Sequence, residues 1–167
     1  GSNQIIGGVG FNTITTGDGA DLIIGGAGVI DRTSGLTIRS LDTAPVLAGS
    51  GAKITAGQGV NQIVGGLGVT NITSGTSADV IVAHRGQIDR NVAGKLIGVA
   101  TADVDLALGA PRTDITDAGG SNIIITGSGD AAVQAGVGGT TNDNIIVGGN
   151  GQVDLGAGVT VRSTRVV

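Results

Sequence analysis

Apolar positions in this chain recur in a short, regular rhythm. Residues 7–15 (GGVGFNTIT), 16–24 (TGDGADLII), 25–33 (GGAGVIDRT), 56–64 (AGQGVNQIV), 65–73 (GGLGVTNIT) and 74–82 (SGTSADVIV) align as small–Gly–x–Gly–x–(Asp/Asn)–x–aliphatic–x. The eighth position holds Ile14, Ile23, Ile63, Ile72 and Ile81. Each nonapeptide predicts a six-residue turn and a three-residue strand, whose central aliphatic points inward while its neighbours point out. Glycine suits such turns because it enters positive φ without a Cβ penalty. No window carries a sustained 3.6-residue apolar period free of glycine, so little or no helix is expected.

A longer period of about sixty residues lies over the short one. Residues 3–33 align without gaps on 61–91, and a third copy starts at Asn122 and resumes at 144–154. GVID, GQID and GQVD (28–31, 86–89, 151–154) mark the same point in each copy, and GLTIRS (35–40) matches GVTVRS (158–163). The less regular stretches 36–55 and 92–118 keep strand-like pieces such as KIT and DIT, with Pro45 and Pro111 placed where they interrupt a ladder least. The fold expected is all-β: one right-handed parallel β-solenoid over residues 1–167, in repeats 3–60, 61–121 and 122–167, the last incomplete. At roughly 4.8 Å per coil, eight or nine coils make a rod on the order of 40 Å long.

Composition agrees. There are 34 glycines among 167 residues, Phe11 is the one aromatic, and Met, Cys, Trp and Tyr are absent. A core of Ile, Val, Leu and Ala alone must be thin, which suits stacked layers. All 13 acidic residues are Asp, a residue of turns. The net charge of −4, scattered cations and lack of stacking aromatics exclude nucleic acid as the natural partner. No apolar run is long enough for a membrane-spanning helix. Zero cysteines fit a secreted bacterial protein held together by other means. No signal peptide and no initiator Met are seen, as expected of a processed or excised chain.

The nonapeptides resemble the RTX (haemolysin-type) calcium-binding repeat, G-G-x-G-x-D-x-U-x, a β-roll signature. The resemblance spans roughly 1–33, 56–91 and 119–154, a little over half the chain. It implies calcium between successive turns, held by turn carbonyls and by sixth-position Asp side chains eighteen residues apart. Carried over, the sixth positions are Asn3, Asn12, Asp21, Ile30, Asn61, Thr70, Asp79 and Asn122. Asp21 with Asn3, and Asp79 with Asn61, are then the implied metal residues, together with Asp18 in the same turn as Asp21. The 12/30 and 70/88 pairs should bind nothing. Against calcium stands a second reading, in which Asp and Asn satisfy turn backbone and stack as a ladder between coils.

Other residues suggest simpler roles. Asp31–Arg32 and Asp89–Arg90 recur and read as surface salt bridges. His84 is the single histidine and lacks an evident orienting partner, so catalysis is not expected of it. Thr13, Thr15, Thr37, Thr55, Thr73, Thr116 and Thr160 flank strand aliphatics, which fits a solvated strand face or an ice-binding row. Asp103, Asp105, Asp114 and Asp117 cluster in an irregular stretch and read as turn residues on a solvated loop, with Lys53 opposite Asp114.

The function expected is that of a non-enzymatic extracellular or cell-surface module of a bacterium: surface layer, sheath, fibre or adhesin. Calcium is the one cofactor implied. Neither end reads as a polar cap, so self-association end to end, or membership of a longer array, is expected. A surface polysaccharide is a further partner considered. The alternatives are a calcium-binding tail or carbohydrate-binding solenoid of a secreted enzyme, and an ice-binding solenoid.

Overall fold

A computed structural model describes residues 1–41, 50–102, 112–136 and 143–163. Pro45, Pro111, Asp103 and Asp105 lie outside the described residues. Strands are numbered along the chain, and no helix occurs among the described residues. A central sheet contains β1 (Gln4–Ile6), β3 (Leu22–Ile24), β7 (Gln62–Val64), β9 (Val80–Val82), β13 (Ile123–Ile125) and β15 (Ile145–Val147), parallel and in that order. An outer sheet contains β2 (Phe11–Thr15), β6 (Gly51–Thr55), β8 (Val69–Ser74), β12 (Thr113–Asp117) and β14 (Ala131–Gln134), also parallel.

The third sheet overturns the expectation of a single parallel solenoid. It is antiparallel, and is built from three hairpins: β4 (Gly28–Asp31) with β5 (Leu36–Ser40), β10 (Gly86–Arg90) with β11 (Leu96–Thr101), and β16 (Gly151–Asp154) with β17 (Thr160–Ser163). The cause is local. The chain turns back at residues 32–35, and the third copy turns back equally with Leu155 in the place of Arg32, so the tight turn decides it. Asp31 Oδ1 accepts the Thr33 N–H at 2.8 Å, and Gly35 follows at φ 124°. In the second copy Asn91 Oδ1 accepts from both Ala93 and Lys95 at 3.0 Å, with Gly94 at φ 78°. A strand that reverses must pair antiparallel. One hairpin per sixty-residue repeat supplies two strands while the central sheet also gains two, so the third sheet keeps pace with the stack.

The layering also differs from a single column. Ile23, Ile63, Ile81 and Ile124, the middle residues of central strands, pack on Ile14, Ile54, Ile72 and Ile115 of the outer sheet. Their neighbours do not point into water. Leu22, Ile24, Val64, Val80, Val82 and Ile125 pack on Ile38, Ile88, Val99 and Val153 of the hairpin sheet. The central sheet is thus buried on both faces, which explains its uninterrupted triplets LII, VIV and III. Outer strands such as FNTIT alternate because one face meets solvent. Burying all six positions of a strand pair on both sides contributes roughly 1.5–3 kcal/mol per aliphatic side chain. Among the described residues the stack has six central strands, fewer than the eight or nine coils expected, and the hairpins take up length that further coils would have used.

Turn corners stack tightly. Gly59 sits at φ 119°, and a Cβ there would collide with the carbonyl oxygen of Gly19 in the adjacent coil. Glycine is required at that corner by both backbone angle and space.

Candidate functional site

The corner before each central strand holds one Asp or Asn. These six residues, Asn3, Asp21, Asn61, Asp79, Asn122 and Asn144, form a continuous ladder. The Asn3 N–H donates to Asp21 Oδ1 at 2.7 Å, Asp21 N–H to Asn61 Oδ1 at 3.1 Å, and Asn61 N–H to Asp79 Oδ1 at 2.7 Å. Asp79 N–H then donates to Asn122 Oδ1 at 2.7 Å, and Asn122 N–H to Asn144 Oδ1 at 2.9 Å. Each rung's carbonyl in turn accepts from the first residue of the next central strand, as Asp21 O does from Gln62 N–H at 2.8 Å. The inner rungs, Asp21, Asn61, Asp79 and Asn122, are buried, so these bonds satisfy peptide groups that water cannot reach.

Every rung needs one acceptor oxygen, and Asp and Asn both provide it. They differ at the second atom. Asn61 Nδ2 donates to the carbonyls of Gly57 and Gly59 at 3.1 and 2.9 Å, and Asn122 Nδ2 to those of Gly119 and Gly120 at 3.1 Å. The amide closes the turn from inside. Asp21 and Asp79 have no such donor, and their Oδ2 atoms are buried without a hydrogen-bond partner.

This geometry bears on the calcium set implied by the resemblance. Asn3 with Asp21, and Asn61 with Asp79, do meet, each pair eighteen residues apart. Their facing atoms, however, are a backbone N–H and an acceptor oxygen already bonded to each other. Turn carbonyls at Asn61 and Asn122 face an amide instead of an open oxygen cage. Calcium takes six to eight oxygens, and no group of three or more acidic or histidine side chains fit for a metal occurs among the described residues. The donor set does not fit the implied ion. Asp18 is on a separate, exposed file, where its Oδ1 accepts the Gln58 N–H at 3.0 Å.

Asn12 and Thr70 occupy the opposite corner. Asn12 Nδ2 bonds the carbonyls of Gly8 and Gly25 at 2.9 Å. Their expected partners Ile30 and Ile88 are elsewhere, packed into the hairpin-sheet core, because segments 25–33 and 83–91 leave the coil. Asn12 instead neighbours Ala52.

Asp117 is the residue that the sequence reading misplaced. It is fully buried at the end of β12, not on a solvated loop. Its Oδ1 accepts from Gly119 N–H at 3.0 Å and Asn122 Nδ2 at 2.7 Å, while Oδ2 accepts from Ser74 Oγ at 2.6 Å. The available signal was its register: one position past DIT, where the aligned strands carry small residues. Burial, first, and then the nearby Asp117 push the Asp79 carboxyl up to about 7, against the lowering effect of the Asn61 N–H.

His84 is buried at the other corner. Its Nε2 lies 2.7 Å from Thr113 Oγ1 and its Nδ1 has no partner. Desolvation alone lowers it to about 4. The expected Asp–Arg surface pairs are bonded differently. Asp89 accepts from Thr37 Oγ1 at 2.7 Å and Gln87 Nε2 at 2.6 Å, whereas Arg90 Nε donates to Gln62 Oε1 at 2.9 Å. Asp31 is bonded to Thr33. Asp114 pairs with Arg112 at 2.8 Å, and Lys53 is two strands away in the same file. Thr15, Thr55, Thr73 and Thr116 align in one file on the outer sheet, and the neighbouring file is mixed: Thr13, Lys53, Asn71, Asp114.

Comparison with protein-family models, with curated proteins and with solved structures gave no match. Fold and corner define an all-β repeat protein with, among the described residues, two parallel sheets, one antiparallel hairpin sheet and a buried Asp/Asn ladder.

Proposed function

We propose that this chain is a non-enzymatic structural module of an extracellular fibre, sheath or surface layer, extended by pairing of its sheet edges with a further copy of the same repeat. One observation carries this reading: the two edges are counterparts of strands that already pair inside the molecule. β1 corresponds to β7 and β13, and β15 corresponds to β3 and β9, by the sixty-residue alignment. Since β3 pairs with β7 and β9 with β13, β15 of one copy meets β1 of the next with the same chemistry. The hairpin sheet repeats the logic. β17 matches β5 and β11, β4 matches β10 and β16, and the pairs β5–β10 and β11–β16 exist internally.

Apolar side chains sit at both edges. Ile6, Val9 and Phe11 are exposed at the β1/β2 edge, and Ile146 and Val161 at the β15/β17 edge. An open strand edge templates pairing, and a head-to-tail contact that does not close generates filaments. The extracellular setting rests on the resemblance of the nonapeptides and on the absence of cysteine.

The experiment is sedimentation and electron microscopy over a concentration series. Wild-type chain is expected to form linear assemblies. Ile6→Lys and Ile146→Lys each block one edge, so either variant alone stays small. An equimolar mixture then yields dimers that stop growing. A wild-type chain that remains monomeric at millimolar concentration refutes the reading.

A further inference from the structure

Among the described residues the outer sheet is one strand short of its neighbours, with five strands against six in the central and six in the hairpin sheet. Chain order shows where the shortfall falls. One outer strand intervenes between each central strand and the next: β2 after β1, β6 after β3, β8 after β7, β12 after β9 and β14 after β13. β15 is followed by the hairpin β16–β17 and by no described outer strand. β14 therefore pairs with β12 on one side and with no described strand on the other.

The side chains register the same gap. Ile23, Ile63, Ile81 and Ile124, the middle residues of the four inner central strands, are 0% exposed beneath the outer sheet. Ile146, the middle residue of β15, is 47% exposed. At the opposite end Ile5 is already partly buried in the same cluster as Ile14, so the β2 edge lacks less cover.

We infer that the β14 edge accepts one further strand: an extended segment of the repeat's own outer-strand type, x-Ile-x, from another chain, laid parallel along Ala131–Gln134 with its isoleucine over Ile146. The internal pairs fix type and register. β14 is the counterpart of β2 and β8, which pair with β6 and β12 so that Ile14 lies beside Ile54 and Ile72 beside Ile115. By the same register an incoming Gly51–Thr55 sequence sets Ala52 beside Ala131, Lys53 beside Ala132, Ile54 beside Val133 and Thr55 beside Gln134. Main-chain pairing then supplies the affinity, and the apolar seat for every second residue supplies the selectivity. A folded copy cannot donate this strand, because its β6 and β12 are paired on both sides. Head-to-tail stacking does not fill the place either, since β2 of a further copy belongs after that copy's own β1. The acceptor edge is thus a separate feature from the end-to-end joint.

The probe is a synthetic peptide of residues 50–59, titrated into isotope-labelled Ile6→Lys chain and into dilute wild type, and followed by NMR. Amide shifts and slowed hydrogen exchange are expected at Ala131–Gln134, together with shifts of the Ile146 methyl groups. Peptide carrying Ile54→Asp should bind at least about tenfold more weakly, because it would bury a charge against Ile146. Chain carrying Ile146→Lys should lose binding to the same degree while keeping its melting temperature, the side chain being half exposed in the wild type. No binding, or shifts confined to the β2 edge, overturns the inference. A chain that never assembles but takes the peptide at β14 sinks the filament reading alone; a chain that assembles while β14 ignores the peptide sinks this one alone.

Discussion

Replacing Asp21 with asparagine separates the ladder from a metal site, because the two readings give opposite signs. Asp21 is fully buried; its Oδ1 holds the Asn3 N–H and its Oδ2 has no partner. Asp21→Asn keeps the Oδ1 acceptor and turns the orphan into an Nδ2 donor. At Asn61, the same position of the next turn, that donor reaches two glycine carbonyls, so the amide introduced by Asp21→Asn is expected to reach those of Gly17 and Gly19. Relieving an unsatisfied buried polar atom is worth about 1–3 kcal/mol, and each new hydrogen bond about 1 kcal/mol more. Taking about 2 kcal/mol as the net gain, a chain of this length should melt about 4–8 °C higher. The assay is thermal unfolding followed by circular dichroism, in chelator and in millimolar calcium. Both conditions should show the same rise. A fall in melting temperature, confined to the calcium sample, would refute the ladder account and restore an ion at Asp21.

The layering and the second buried ionisable corner make further predictions. Ile24→Ala should destabilise by about 2–5 kcal/mol, as much as Ile23→Ala, because both side chains are fully buried on opposite faces of the central sheet; urea unfolding that shows a loss for Ile23→Ala alone would remove the hairpin sheet from the core. His84 is lowered from 6.5 to about 4, so its contribution to stability is present above pH 6.5 and lost as pH falls toward 4. At about 1.4 kcal/mol per unit this amounts to roughly 3 kcal/mol, and the stability difference between wild type and His84→Gln should shrink or invert by that amount over the window. Asp79 acts with the opposite sign, its contribution being fully present below about pH 4 and lost as pH rises through about 7. Between pH 4 and 6.5 the two groups pull stability in opposite directions, so a chain with one group replaced should expose the other's slope in the same titration.

Much of this molecule was legible in its residues. Ile14, Ile23, Ile63, Ile72 and Ile81 are buried where the nonapeptide spacing placed them, and the turns carry glycine at positive φ. The pairing of Asn3 with Asp21 and Asn61 with Asp79 at a spacing of eighteen was equally visible. These are local properties: a period of nine sets where the chain turns and which side chains share a face.

Three things were decided only by tertiary structure. Whether Leu22 and Ile24 meet water or a second core depends on a sheet contributed by residues far along the chain. The turn at Asp31 is local, but whether its hairpin joins a sheet depends on distant neighbours, β10 beside β5 and β16 beside β11, and that makes a whole sheet antiparallel where a parallel one was expected. Whether Asp117 is a solvated loop residue or a buried acceptor for Ser74, Gly119 and Asn122 depends on the register of β12 against β8. Periodicity specifies which faces a strand has; only the packed neighbours determine what each face touches, and the chemistry of the corner follows from that contact.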